Sequence, residues 1–212
     1  MLEIIPLGTV STFCYKDKCC PGFLVKHDNQ NILLDCGNGI TKHMILPDDL
    51  NNLTIIISHL HPDHYGELLS IAQSSLVFQR IGYIKEKIKV YIPYGDKIDV
   101  TEDYIDADGW SASRLVTKNL IDYDFLINLE KHGFINTEKE QIHINDLNIS
   151  FKRNPHQIIT YSTKIQIHDN IVVYSSDTGY KNNILENFSK DADLLICEST
   201  FLRGQTKLED YH

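Results

Sequence analysis

Three histidines and an aspartate fall within six residues at His59-Leu60-His61-Pro62-Asp63-His64. Imidazole nitrogens suit borderline divalent ions such as zinc, and carboxylates suit harder ones, so the mixture fits Zn, Mn or Fe. His59 and His61 stand two apart on extended backbone and therefore point to the same side. Pro62 carries no amide hydrogen and suits the first turn of a helix, which sends Asp63 and His64 off in a different direction. One short segment can thus feed two neighbouring metal positions.

The segment directly follows Thr54-Ile55-Ile56-Ile57, a β-branched apolar run expected of a strand buried on both faces. The sequence predicts earlier strands at Leu2 to Leu7, Gly22 to Lys26 and Asn31 to Cys36, with a turn at Asp28-Asn29-Gln30. After the histidines, Gly66 to Ile81 reads as a helix with Leu68, Leu69, Ala72, Leu76 and Phe78 on its apolar positions, and Lys89 to Pro93 returns to strand. Asp96 to Asp108 carries six carboxylates against one lysine and reads as a solvated loop or helix entrance. A calcium site is the sharper reading of that stretch, but the EF-hand spacing is missing. Ser111 or Ser113 is placed to cap a helix running to about His132 and stopping at Gly133. The second half predicts strands at Gln141 to Ile144, Leu147 to Lys152, Ile158 to Ile167, Ile171 to Ser175 and Asp193 to Cys197, with a hairpin turn at Asp169-Asn170 and a helix at Ile184 to Phe188. Two strand-rich halves with helices suggest a layered α/β sandwich.

Composition narrows the classes. A chain of 212 residues holds one sizeable core, and no apolar run approaches the length of a membrane span. The N-terminus lacks the features of a secretory signal, so a cytoplasmic protein is expected. The net charge of −9, without a long Lys/Arg run, argues against an extended nucleic-acid interface but not against a small anionic substrate held by metal ions. Five cysteines, with Cys19 and Cys20 adjacent and no CxxC pair, match neither a disulfide framework nor a zinc knuckle. Buried free thiols are the default reading; a redox or metal role for Cys14, Cys19 and Cys20 is the alternative.

The HxHxDH pattern resembles the signature of the metallo-β-lactamase superfamily. Further segments match it: Leu7-Gly8-Thr9, Leu33-Leu34-Asp35-Cys36-Gly37, Asn154-Pro155-His156 and Ser175-Ser176-Asp177-Thr178-Gly179. The resemblance covers nearly the whole chain and implies a single 1–212 domain with a four-layer αββα sandwich and two divalent metal ions per chain. It implies one metal held by His59, His61, His156 and a bridging Asp177, and a second by Asp63, His64 and Asp177, with Asp35 orienting a ligand histidine or the motif loop. The Thr-His type segment that usually completes the second metal position has no counterpart here, so the second position is expected to be depleted, or completed by a last strand and helix beyond His212.

Glu198-Ser199-Thr200-Phe201 resembles a segment of ribonuclease Z, where a phosphate-assisting histidine follows after a spacer. His212 fits that place. It could also substitute for the missing second-position ligand, or simply be a terminal histidine. The resemblance implies a metal-dependent hydrolase, with a metal-bound hydroxide as nucleophile, Asp63 orienting the water and His212 protonating the leaving oxygen. Ribonuclease Z often carries a tRNA-gripping arm between its third histidine and bridging aspartate; only twenty residues separate His156 from Asp177 here. A small or cyclic phosphodiester is therefore the expected substrate. Carboxyl-ester, lactone or thioester hydrolysis, tRNA 3′ processing, and non-hydrolytic metal binding are the alternatives. A homodimer is compatible with the sequence.

Overall fold

The computed structural model describes residues 2–93, 129–135 (backbone), 141–179 and 183–200. The acidic stretch 96–108, the helix start at Ser111 or Ser113, and His212 lie outside the described residues. The chain divides into two compact units, Met1–Ile92 with Asp103–Gly133, and Pro93–Glu102 with Phe134–His212.

The first unit is built on a six-stranded mixed sheet in the order β1 to β6: Leu2–Gly8, Gly22–His27, Gln30–Leu34, Leu53–Ile56, Ile88–Pro93 and Leu129–Ile135. β1, β2 and β3 pair antiparallel, whereas β3, β4 and β5 run parallel. All four residues of β4 are buried, as its unbroken apolar run demands. Leu24, Leu33 and Ile55 on adjacent strands have no exposed surface and form the centre of this core. A one-turn helix, α1 (Pro62–Tyr65), precedes α2 (Leu68–Arg80). Leu68, Ile71, Ala72 and Ser75 form the buried stripe of α2, at the i, i+3, i+4, i+7 spacing of one helical face. Leu69, expected among the apolar positions, is 42% exposed because it sits one residue round from that stripe.

The second unit carries a five-stranded sheet in the order β11-β10-β9-β8-β7: Leu194–Ile196, Asn170–Tyr174, Tyr161–Ile167, Leu147–Arg153 and Gln141–Ile144. Only the β10–β11 pair is parallel. The connection between them holds a short helix, α3 (Ile184–Phe188).

Two expectations are corrected. Leu129–Ile135, read as the end of a helix stopped by Gly133, is a strand on the edge of the first sheet. Sheet pairing there outweighs local helix propensity, and the glycine lies inside the strand. The β9–β10 turn is His168-Asp169 rather than Asp169-Asn170, because Asn170 already pairs with Ile167. His168 takes φ 52°, as Asp28 and Asn145 take 50° and 54° at the first turn residue of the other two tight hairpins among the described residues. That left-handed geometry is why polar residues occupy these positions.

Candidate metal centre

In the first unit, parallel pairing brings the carboxyl ends of β3 and β4 to one edge. Asp35 N–H donates to Ile56 O at 2.9 Å and Ile57 N–H to Tyr91 O at 2.9 Å, so both strands leave the sheet side by side. Asp35 then turns through φ 58° and faces the start of the histidine segment. Its Oδ1 accepts the Ser58 amide at 2.7 Å, and its Oδ2 accepts the Ser58 hydroxyl at 2.8 Å. The same Oδ2 lies 2.7 Å from His64 Nδ1. Asp35, Ser58, His59 and His64 are all sealed from solvent.

This network assigns tautomers. A carboxylate only accepts, so His64 carries its proton on Nδ1 and presents the Nε2 lone pair. Ser58 spends its hydroxyl hydrogen on Asp35, so its oxygen, 3.0 Å from His59 Nδ1, accepts from that nitrogen. His59 therefore also presents Nε2. One carboxylate thus orients His64 directly and His59 through Ser58, the device by which proteins fix metal-ligating imidazoles.

His59 Nε2 and His61 Nδ1 lie 3.0 Å apart. Two nitrogens bound about 2.0–2.1 Å from a tetrahedral zinc stand roughly 3.3 Å apart, so this pair fits a shared ion. The His59 and His64 rings stand 4.0 Å apart between centroids.

Pro62 opens α1 at its first turn as expected, with His61 as the N-cap. Asp63 Oδ2 accepts the Thr12 amide at 2.9 Å and the Ser11 hydroxyl at 3.4 Å, and lies 3.7 Å from His64 Nε2. Thr12 reaches it from a left-handed φ of 72°. Backbone bonds from Cys36 N to His64 O (2.7 Å) and from Glu67 N to Cys36 O (3.0 Å) lock α1 against the β3 exit. Tyr65, at the end of α1, has its hydroxyl pushed up to about 12 by burial and by the Asp63 charge.

In the second unit, the His156 side chain is fully buried and its Nε2 lies 3.9 Å from Asp177 Oδ2. Asn154 stitches their loops together: its Nδ2 donates to Ser175 O at 2.6 Å and Asp177 O at 3.1 Å, and its Oδ1 accepts from Ser162 at 2.8 Å. Gly179 N–H closes on Pro155 O at 2.9 Å. Glu198, just past β11, accepts the Thr178 amide on Oε1 and the Thr200 hydroxyl on Oε2.

The two units use the same construction. In each, a pair of parallel strands ends at one edge, and a carboxylate from one strand end holds a backbone amide beyond the other: Asp35 on Ser58, Glu198 on Thr178. Metal-ligating side chains stand in each unit by itself: His59 and His61 in the first, His156 and Asp177 in the second. Imidazole and carboxylate are both donor types that divalent ions such as zinc take. Ser58 and Thr12 are not singled out from sequence, since a lone Ser or Thr in a loop carries no spacing signal; Asn154 and Glu198 stand out there only as parts of segments that carry a resemblance.

Residues 2–208 match the family model described as Anti-Pycsar protein Apyc1. A ribonuclease Z from Saccharolobus islandicus is 30% identical over 227 aligned positions, which cover 95% of this chain and 77% of that protein. Among solved structures, the metallo-β-lactamase fold protein YhfI from Bacillus subtilis superposes with a TM-score of 0.80 at 19% identity, covering 100% of this chain and 77% of that one. The short form of human tRNase Z superposes with a TM-score of 0.66 at 17% identity, covering 97% and 80%. The chain belongs to the Anti-Pycsar protein Apyc1 family and, with its ribonuclease Z relatives, to the metallo-β-lactamase superfamily of metal-dependent hydrolases.

Proposed function

We propose that this protein is a phosphodiesterase acting on a small or cyclic phosphodiester. The observation that carries the choice of substrate is the segment between His156 and Asp177. It consists of a short loop and the β9–β10 hairpin, closed by the two-residue turn His168-Asp169, with no inserted arm to grip a folded RNA. The net charge of −9 points the same way.

In this reading His59, His61, His156 and Asp177 hold one divalent ion, and Asp63, His64 and Asp177 hold a second. Zinc fits the imidazole-rich set, with Mn or Fe as alternatives. Bound there, such ions lower the pKa of water and offset charge on the phosphoryl oxygens. The protein's own part is positional. Asp35 and Ser58 keep Nε2 of His59 and His64 as the donor atoms. Thr12 and Ser11 hold one oxygen of Asp63, so that its carboxylate keeps one orientation and serves to align the attacking water and take its proton. Asn154 and Glu198 hold the chain on either side of Asp177. His212 is the proposed proton donor to the leaving oxygen, by its place in the sequence after Glu198-Ser199-Thr200-Phe201.

Hydrolysis of bis(p-nitrophenyl) phosphate with added Mn or Zn tests the reading. Asp63→Ala should lower it by about a hundredfold or more. Turnover of lactones or thioesters alone would point to the ester-hydrolase alternative. Cleavage of precursor tRNA in preference to small diesters would restore the tRNA-processing one, which the ribonuclease Z relatives favour.

A further inference from the structure

The metal-centre reading makes no use of the cysteine group at Cys14, Cys19 and Cys20. Residues 9–20 form a hairpin-like excursion between β1 and β2. Its base is tied by the Thr9 and Val10 amides, both donating to Cys19 O at 3.0 Å. Its tip is an antiparallel bridge in which Tyr15 and Lys18 exchange both backbone hydrogen bonds, at 3.2 and 3.0 Å.

Carried one residue toward the base, that register sets Cys14 opposite Cys19 in a non-hydrogen-bonded pair. Such pairs have Cα atoms about 4.5 Å apart, inside the roughly 4.4–6.8 Å range a disulfide spans. The sulfurs follow the backbone. Cys14 Sγ donates to Asn38 O at 3.0 Å and Cys19 Sγ to the next carbonyl, Gly39 O, at 3.1 Å. A Cβ built on Gly39 would lie 2.9 Å from Cys19 Sγ and 3.2 Å from Cys14 Sγ, so both sulfurs crowd the same glycine. Cys14 is exposed, whereas Cys19 and Cys20 are buried. Cys14, the exposed member of the group, is therefore the thiol that meets an oxidant first.

We propose that Cys14 and Cys19 form a reversible thiol–disulfide site that takes a low-molecular-weight disulfide such as oxidised glutathione. The Cys14 thiolate attacks one sulfur of the reagent, forming a mixed disulfide and expelling one glutathione thiolate. Cys19 gives up its proton and attacks Cys14 Sγ, closing the internal disulfide and expelling the second. Two cysteine thiols are oxidised, and one glutathione disulfide is reduced to two thiols. The bond would close the tip of the excursion, two residues beyond Thr12, whose amide holds Asp63.

The test treats the reduced, full-length Cys197→Ser protein with oxidised glutathione, since Cys197 is the other exposed thiol. Alkylation and peptide mapping follow. The expected product is a link between the Cys14 peptide and the Cys19-Cys20 peptide that dithiothreitol reverses. It should persist in Cys20→Ala and vanish in Cys14→Ser and Cys19→Ala. A glutathione adduct that stays on Cys14 without an internal link would overturn the proposal. So would a link that is lost in Cys20→Ala but kept in Cys19→Ala. Both readouts are chemical, so they stand or fall independently of any phosphodiesterase activity.

Discussion

The Asp35 carboxylate sits 2.7 Å from His64 Nδ1, with both side chains closed to solvent, while its second oxygen holds the Ser58 amide. Oxygens of one side chain therefore set the tautomer of His64 and, through Ser58, that of His59.

Asp35→Asn tests this directly. Asn tolerates the left-handed φ of 58° that position 35 requires, so the backbone can stay in place. The amide has only one acceptor oxygen, however, and either Ser58 N–H or the His64–Ser58 pair must face its NH₂ group. Zinc affinity, read by competition with a chelator, should fall by about 10–100-fold with the circular-dichroism spectrum unchanged. An unchanged affinity would show that Asp35 does not orient the ligands.

Glu198 makes the matching bond in the second unit. Glu198→Ala leaves the Thr178 amide, next to Asp177, without its acceptor. A buried donor stripped of its partner costs about 1–3 kcal/mol, visible in urea denaturation, and metal affinity should weaken with it. Glu198→Gln keeps a carbonyl for that amide and should recover most of both losses. Equal losses in the two variants would instead assign the effect to the carboxylate charge.

Gly37 is a packing requirement. A Cβ there would run into the backbone oxygen of Asp63 and come within 2.7 Å of Cys20. Gly37→Ala must push α1 away from the β3 exit, at about 1–3 kcal/mol of stability. Because the displaced segment carries Asp63 and His64, metal affinity should fall as well. Thermal melts of the apo and zinc-loaded protein separate the two effects.

Alkaline pH should destabilise the fold. Burial, joined by the neighbouring Cys14, pushes the Cys20 thiol from 9.0 up to about 12, and burial with Asp63 pushes Tyr65 from 10.0 up to about 12. Between those values the unfolded chain releases protons that the native state retains, so stability falls as pH rises. The contribution is complete below about pH 9 and is lost on approach to pH 12. Urea midpoints measured at pH 8, 9.5 and 11 should decline, and less steeply in Cys20→Ala; a flat profile would contradict the assignment.

The local elements were legible where sequence pattern and burial coincide. Thr54-Ile55-Ile56-Ile57 reads as a doubly buried strand because every residue of β4 is indeed buried. Pro62 marks the start of α1 because a residue without an amide hydrogen is tolerated there. Leu129–Ile135 was misread because an edge strand takes its identity from the neighbour it pairs with, which no local window contains.

The same division runs through the site. The donor types, their spacing and the family resemblance are properties of the chain order of His59, His61, Asp63, His64, His156 and Asp177. What holds those donors depends on contacts across long sequence separations: Asp35 reaches Ser58 twenty-three residues away, Thr12 reaches Asp63 across fifty-one, and Thr178 reaches Glu198 across twenty. The physical reason is that a hydrogen bond needs its two groups placed within a fraction of an ångström. Parallel strand pairing and loop closure deliver that placement, whereas residue identity supplies only the groups.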